Sequence, residues 1–160
     1  MTVVRSACVL GLAIAAGCSE QRASVTDVEQ LYSRYPEAYA AVVEATLTRP
    51  REEGLPRRNS ALFDDIETLP PFRWTGIRSE GEGSRYVLIV THSYGMSVSG
   101  REVGLAFFVD GEPQDETVPE FTQRVFDTCA GMEAAYAAGE QASLGYCAIG
   151  GRWYAFQYSF

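Results

Sequence analysis

The chain ends with the stretch LGYCAIGGRWYAFQYSF, residues 144–160, which predicts a β-hairpin. Two strand-forming runs flank Gly150-Gly151, a pair typical of a two-residue hairpin turn. A turn at this pair places Cys147 opposite Tyr154. Since side chains alternate along a strand, we expect Cys147 to share a face with every second residue of the last strand. Those residues are Tyr154, Phe156, Tyr158 and Phe160.

A second pattern, about residues 118–138, predicts one long helix before the hairpin. Apolar residues recur there every three or four positions, with Pro119 in the first turn and Gly139 after the end. The resulting stripe contains Val118, Phe121, Val125, Cys129, Met132 and Tyr136. We expect this stripe to pack on the sheet.

The N-terminus carries a third pattern, which concerns export. Arg5 is followed by a short apolar run, and the run ends in Ala15-Ala16-Gly17-Cys18. Residues 1–18 resemble the lipobox signal peptide of bacterial lipoproteins. The resemblance implies that residues 1–17 are removed and that Cys18 carries lipid, including palmitate, as a membrane anchor. With Ser19 next, it implies an outer-membrane protein that faces the periplasm.

Plain secretion is the alternative to lipidation. A cut after Ala15 also fits the small-residue rule for signal peptides and would release a soluble periplasmic protein. The apolar run is about half as long as the ~20 residues that a membrane-spanning helix needs. We therefore divide the chain into a signal peptide (residues 1–17), a lipidated tether (18–25) and a single domain (26–160).

Export would place Cys129 and Cys147 in an oxidising compartment. Two cysteines that remain in an oxidising compartment are expected to form a disulfide bond. A zinc site or a reactive thiol is the alternative, and no histidine lies near either residue in the sequence. The bond would tie the long helix to the hairpin and place the aromatic face of the hairpin under the helix.

The N-terminal part of the domain is predicted to be helical. Thr26 and Glu29 match a capping box, and Pro36 either kinks this helix or starts a second one. Ser60 is expected to cap a short helix that extends to Thr68.

The middle of the chain predicts strands over residues 72–79, 85–92 and 103–109. The long segment 93–101 between the last two is expected to be a loop. With the hairpin, these strands give about five strands in an antiparallel sheet, so the fold class is α+β with N-terminal helices.

Composition restricts the function. The chain has 13 Lys+Arg and 21 Asp+Glu, for a formal net charge of −8. Such an acidic surface argues against nucleic acid and against anionic headgroups as partners. The sequence contains no phosphate-binding glycine loop and no metal-ligand motif, so no cofactor and no metal are expected. The acids of residues 110–116 lack the spacing of a calcium loop.

A hydrolase is one hypothesis for the chemistry. His92, the single histidine, would act as the base and Ser97 as the nucleophile. Gly95-Met96-Ser97 resembles the start of a G-x-S-x-G elbow, but the last glycine is missing, and the predicted β–β connection does not suit such an elbow. His92 also shares strand parity with Tyr86, Leu88 and Val90, which favours a structural role.

Binding is the preferred hypothesis. Trp153, Tyr94 and Trp74 are candidates for an interaction surface, since exposed aromatic residues mark such surfaces. We expect a non-catalytic, lipid-anchored module that binds a protein or another component of the cell envelope. A small-ligand carrier, with its ligand between the helices and a curved sheet, and a hydrolase using His92 are the alternatives.

Overall fold

The structure combines three helices with a seven-stranded sheet, which confirms the α+β class. This computed structural model describes residues 23–48, 55–80, 84–96, 99–140 and 142–160. Its helices are α1 (Val25–Arg34), α2 (Pro36–Thr48) and α3 (Cys129–Ala137). Its strands are β1 (Trp74–Glu80), β2 (Ser84–Met96), β3 (Ser99–Asp110), β4 (Glu116–Val118), β5 (Phe121–Phe126), β6 (Leu144–Gly150) and β7 (Trp153–Ser159). The predicted signal peptide (residues 1–17), the predicted lipidation site Cys18 and the candidate nucleophile Ser97 lie outside the described residues.

The strand order is β1-β2-β3-β7-β6-β5-β4. Six neighbouring pairs make up this sheet, and the pair β5–β6 is parallel while the others are antiparallel. The sheet therefore has more strands than the predicted five or so, and it is mixed where a wholly antiparallel sheet was predicted. The parallel pair arises because α3 connects β5 to β6, and a helical crossover returns the chain to the end of the sheet at which it began.

The long helix predicted for residues 118–138 was wrong in its first half. This part of the chain forms the β4–β5 hairpin, in which Glu120 adopts a left-handed φ of 69°. Thr117, Thr122 and Val125 are β-branched and favour strands, although the apolar spacing also suits a helix. Helix α3 begins only after Thr128, whose side chain accepts a hydrogen bond from the Gly131 N–H at 3.0 Å.

The N-terminal helices follow the prediction with small shifts. Ser24 caps α1 and forms the capping box with Asp27, two positions before the predicted pair. Pro36 starts a second helix, α2. Ser60 does cap a helical turn, but this 3₁₀ turn ends at Phe63. Within the described ranges, no helix is long and apolar enough to cross a membrane.

The C-terminal hairpin forms, but its turn lies at Gly151-Arg152 and its register differs from the predicted one. A bulge between Ala148 and Gly150 pairs Cys147 with Ala155, so Tyr154 moves to the opposite face. A one-residue shift reverses the face of every side chain on the strand. The expectation that the alternate aromatic residues of β7 share the face of Cys147 was wrong for this reason.

The disulfide between Cys129 and Cys147 is confirmed, with a Cα–Cα distance of 5.0 Å. It ties α3 to β6 on the face of the sheet that the helices cover. Trp153 and Ala155 lie on this face, and with Met132 of α3 they belong to the larger of two hydrophobic cores.

The smaller core lies on the other face of the sheet. It contains Tyr86, Val90, Phe108, Tyr146 and Phe156, all nearly inaccessible to solvent. These side chains are buried although the three helices pack on the opposite face. The sheet itself must therefore cover them, and its shape is what creates the candidate site.

Candidate ligand-binding site

The sheet is strongly curled. Neighbouring strands lie about 4.8 Å apart, so β2 and β6, with β3 and β7 between them, would be separated by roughly 14 Å in a flat sheet. The ring centroids of Tyr86 on β2 and Tyr146 on β6 are 6.4 Å apart. The face of the sheet away from the helices is therefore concave, and side chains from distant strands meet across it.

Aromatic side chains fill one part of this concave face. Phe108 stacks on Tyr86 with ring centroids 4.8 Å apart, and it meets Tyr146 edge to face at 5.7 Å. Tyr154 contacts Phe108 at 5.3 Å. Such offset and edge-to-face arrangements are the favourable geometries for aromatic pairs, so this cluster holds the curl in place.

Beside this cluster the concave face contains a cavity of about 280 Å³. Five strands contribute to its wall. The buried part of the wall consists of Tyr86, Leu144, Tyr146 and Phe156, and the more accessible part of Trp74, Arg78, Leu88, Glu102 and Tyr158. Small-molecule sites are typically concave and mostly apolar, with a few convergent polar groups, and this cavity has that character.

Glu102 is the acidic group of the cavity. It lies on β3, opposite Ser93 of β2 and Tyr158 of β7, so its side chain is half-buried near the middle of the sheet. Burial raises the pKa of its carboxyl group, while hydrogen bonds from the Ser93 and Trp74 side chains act in the opposite direction. Arg78 and Arg73 add a weaker attraction to the ionised form.

Arg78 is the basic group of the cavity. It lies on the edge strand β1, and its guanidinium carbon is 5.9 Å from the ring centroid of Trp74. This geometry is a cation–π contact, which fixes an otherwise exposed side chain beside the cavity. The cavity thus has one positive and one negative group on a wall of aromatic rings.

His92 lies on the other face of the sheet from this cavity. A bulge between Val90 and His92 reverses the alternation along β2, so His92 pairs with Val103 on the helix side. The prediction that His92 shares the parity of Tyr86 and Val90 was wrong because of this bulge. Its ring Nδ1 is 3.0 Å from the Thr91 hydroxyl, and burial lowers the pKa of the imidazole.

These surroundings do not assemble a hydrolytic site in the described part of the chain. His92 lies beside Asp27 and Arg34 of α1 in a shallow surface depression. No described serine is within hydrogen-bonding distance of its ring, and Ser97 is outside the described residues. Nor do the described residues bring together three histidine, cysteine or acidic side chains that could hold a metal ion.

The three candidate surface aromatics have different positions. Trp74 lines the cavity. Trp153 is only 8% exposed and packs between Tyr32 and Phe107, so its side chain belongs to the core on the helix side and is not a surface group. The hydroxyl of Tyr94 accepts a hydrogen bond of 2.7 Å from the Ala23 N–H, which fixes the start of the domain.

Most of the residues that line the cavity were not predicted from the sequence. Glu102 fell between a predicted loop and a predicted strand, whereas the structure continues β2 and β3 through most of segment 93–101. Tyr86 and Leu88 belong to a run that is apolar on both faces, a pattern typical of strands covered on two sides. The pattern does not reveal that the sheet itself provides the cover.

Comparison of the chain with protein-family models, with curated proteins and with solved structures finds no match. The functional argument therefore rests on the geometry of the cavity and on the residues that line it.

Proposed function

We propose that this protein is a non-catalytic binding domain of the cell envelope, which takes a small ligand into the cavity of the curled sheet. Lipid on Cys18 would hold it at the outer membrane on the periplasmic side. The cavity is the observation that carries the proposal, and it favours the carrier hypothesis over an interaction surface at Trp153. We therefore expect the ligand on the concave face of the sheet and not between the helices and the sheet.

Preorganisation supports a binding role. The wall of the cavity comes from five strands of the sheet and not from long loops. Tyr86, Tyr146 and Phe156 are at most 4% exposed and are held by ring contacts or by the core. A ligand that enters a preformed cavity does not have to offset the cost of ordering its walls.

The start of the domain fits an anchor close to the membrane. The hydrogen bond from Ala23 to Tyr94 fixes the chain there, so residues 18–22 separate the proposed lipid from the folded domain. Five extended residues span at most roughly 17 Å. A tether of this length would keep the domain close to the bilayer surface.

Filling the cavity is the direct test of ligand binding. We would titrate the purified mature protein with p-cresol, a small neutral aromatic probe, by calorimetry. Leu88→Trp places an indole in the cavity and should abolish binding. Ile77→Trp is the matched control, because Ile77 is exposed on the neighbouring edge strand and does not line the cavity. Unchanged binding by Leu88→Trp would contradict the proposal.

Metabolic labelling with palmitate tests the anchor. Cys18→Ser should abolish labelling and release the protein from the membrane fraction. Cys8→Ser, which changes a cysteine inside the signal peptide, should leave both unchanged. Absence of label in the unmodified protein, with the mature chain starting after Ala15, would instead identify a soluble periplasmic protein.

A further inference from the structure

The two charged groups of the cavity do not form an ion pair with each other. The ion pairs formed by described residues within 4.0 Å join Arg85 to Asp110 and Arg124 to Asp115 and Glu140. Arg78 and Glu102 both line the cavity, yet neither belongs to these pairs. Arg78 and Arg73 attract the Glu102 carboxylate only weakly, and burial outweighs this attraction. A half-buried carboxylate without an ion-pair partner is costly in an apolar setting, so the cavity favours a ligand that brings a positive charge.

The aromatic wall favours the same charge. The faces of aromatic rings carry partial negative charge, and cations bind over them, most strongly over tryptophan. Trp74 and Tyr158 stand at the accessible part of the wall near Glu102, and Tyr158 is its direct cross-strand neighbour. An alkylammonium group in this position would contact rings and a carboxylate at once.

Arg78 favours an opposite charge at a different point. Its guanidinium is fixed against Trp74 on the edge strand, at an exposed position. A guanidinium binds carboxylate and phosphate through paired hydrogen bonds. A ligand with its ammonium group inside the cavity would therefore present an acidic group to Arg78.

We infer that the ligand is a small zwitterion, with an alkylammonium group among the aromatic rings beside Glu102 and an acidic group at Arg78. The cavity volume of about 280 Å³ lies at the low end of small-molecule sites, which suits a compact molecule. This inference rests on the proposed binding function and specifies its ligand. A free metabolite and the headgroup of a zwitterionic lipid share this chemistry.

Three probes of related shape measure the contribution of each ligand charge to the binding affinity. Phosphocholine carries both charges, choline carries the ammonium group alone, and 3,3-dimethylbutan-1-ol is the neutral counterpart of choline. We expect calorimetry on the mature protein to give the highest affinity for phosphocholine, with a loss of about tenfold at each removed charge. Equal affinity for the alcohol and choline would overturn the role of the rings and Glu102. Equal affinity for choline and phosphocholine would overturn the role of Arg78.

Two variants assign the charges to residues. Glu102→Gln should weaken choline and phosphocholine about tenfold and leave the alcohol unchanged. Arg78→Gln should weaken phosphocholine and leave choline unchanged. Each variant is checked for folding by near-ultraviolet circular dichroism and for an intact cavity by p-cresol binding. The inference fails if both variants bind phosphocholine as tightly as the unmodified protein does.

The remaining outcomes distinguish this inference from the proposed function. If p-cresol binds and phosphocholine and choline do not, the cavity binds ligands but the zwitterion is wrong. If none of the four probes binds, the proposed function itself fails. Binding of phosphatidylcholine vesicles, with phosphatidylglycerol vesicles as control, would support the zwitterion in the form of a lipid headgroup. Binding of free phosphocholine alone would support a soluble ligand.

Discussion

Two buried tyrosines show how individual residues set the stability of this domain. The Tyr39 hydroxyl donates a hydrogen bond of 2.8 Å to the Pro71 carbonyl, whereas the Tyr136 hydroxyl is buried without a partner among the described residues. Burial raises the pKa of both hydroxyl groups, to about 12 for Tyr136. An unpaired buried hydroxyl costs free energy, and a paired one recovers that cost.

Removing these two hydroxyls should therefore have opposite effects. We expect Tyr136→Phe to raise the free energy of unfolding by up to about 1 kcal/mol, and Tyr39→Phe to lower it by about 1 kcal/mol. Urea denaturation of the two variants, each compared with the unmodified protein, measures both changes. A loss of stability in Tyr136→Phe equal to that in Tyr39→Phe would show that the Tyr136 hydroxyl is well paired.

At the residue scale, the sequence predicted the roles of some residues better than the places of residues in the fold. The disulfide pair and the capping role of Ser60 follow from residue type and local spacing, whereas the sequence left open whether Pro36 kinks a helix or starts a new one. The location of His92 did not follow, because one bulged residue in β2 reversed its face. Glu102 and Arg78 did not stand out either, since isolated charges in strands are ordinary until distant strands bring them to one cavity.

At the scale of elements, α1 and α3 depend on each other. Helices of 10 and 9 residues are marginal on their own in water, so each needs tertiary contacts. The Glu133 carboxylate of α3 accepts hydrogen bonds from the Thr26 N–H at 3.0 Å and the Thr26 hydroxyl at 2.8 Å. An acid on α3 thus binds the N-terminal end of α1, where the helix dipole also favours negative charge.

This link should depend on pH. Burial by itself would raise the pKa of Glu133, but hydrogen bonds from Thr26 and Ser24 outweigh it and lower the pKa below the ordinary value of 4.5. A lowered folded-state pKa stabilises the protein above the unfolded-state pKa, and this contribution is lost as pH falls through the folded-state pKa. We expect Glu133→Gln to cost about 1 kcal/mol at pH 7 after allowance for solvent screening.

Denaturation from pH 7 down to pH 3 tests this link. The difference between Glu133→Gln and the unmodified protein should shrink below about pH 4.5, where the carboxyl group begins to take up a proton. Glu44→Gln, an exposed change on α2, serves as the control and should alter stability little. A constant difference across the pH range would show that the charge of Glu133 contributes nothing.

At the scale of the whole molecule, the curl of the sheet creates the candidate site. Gly104 lies at the centre of the curl, and a Cβ atom there would collide with the Ile89 carbonyl and the Phe156 ring. The absence of a side chain at this position lets β2 and β3 approach the β7 aromatics closely. The curl then brings Trp74 of the edge strand and Leu144 of β6 to one cavity, although three strands separate them in the sheet.

The sequence by itself determined what depends on neighbouring residues. The cap at Ser60, a hairpin close to Gly150-Gly151, the strand-forming runs and the cysteine pair follow from local preferences and spacing. The tertiary structure alone decided the strand register, the β4–β5 hairpin within an apolar pattern that also suits a helix, and the curl that creates the cavity. These features depend on single-residue bulges and on packing between distant strands, where one inserted residue reverses a face without changing the local pattern.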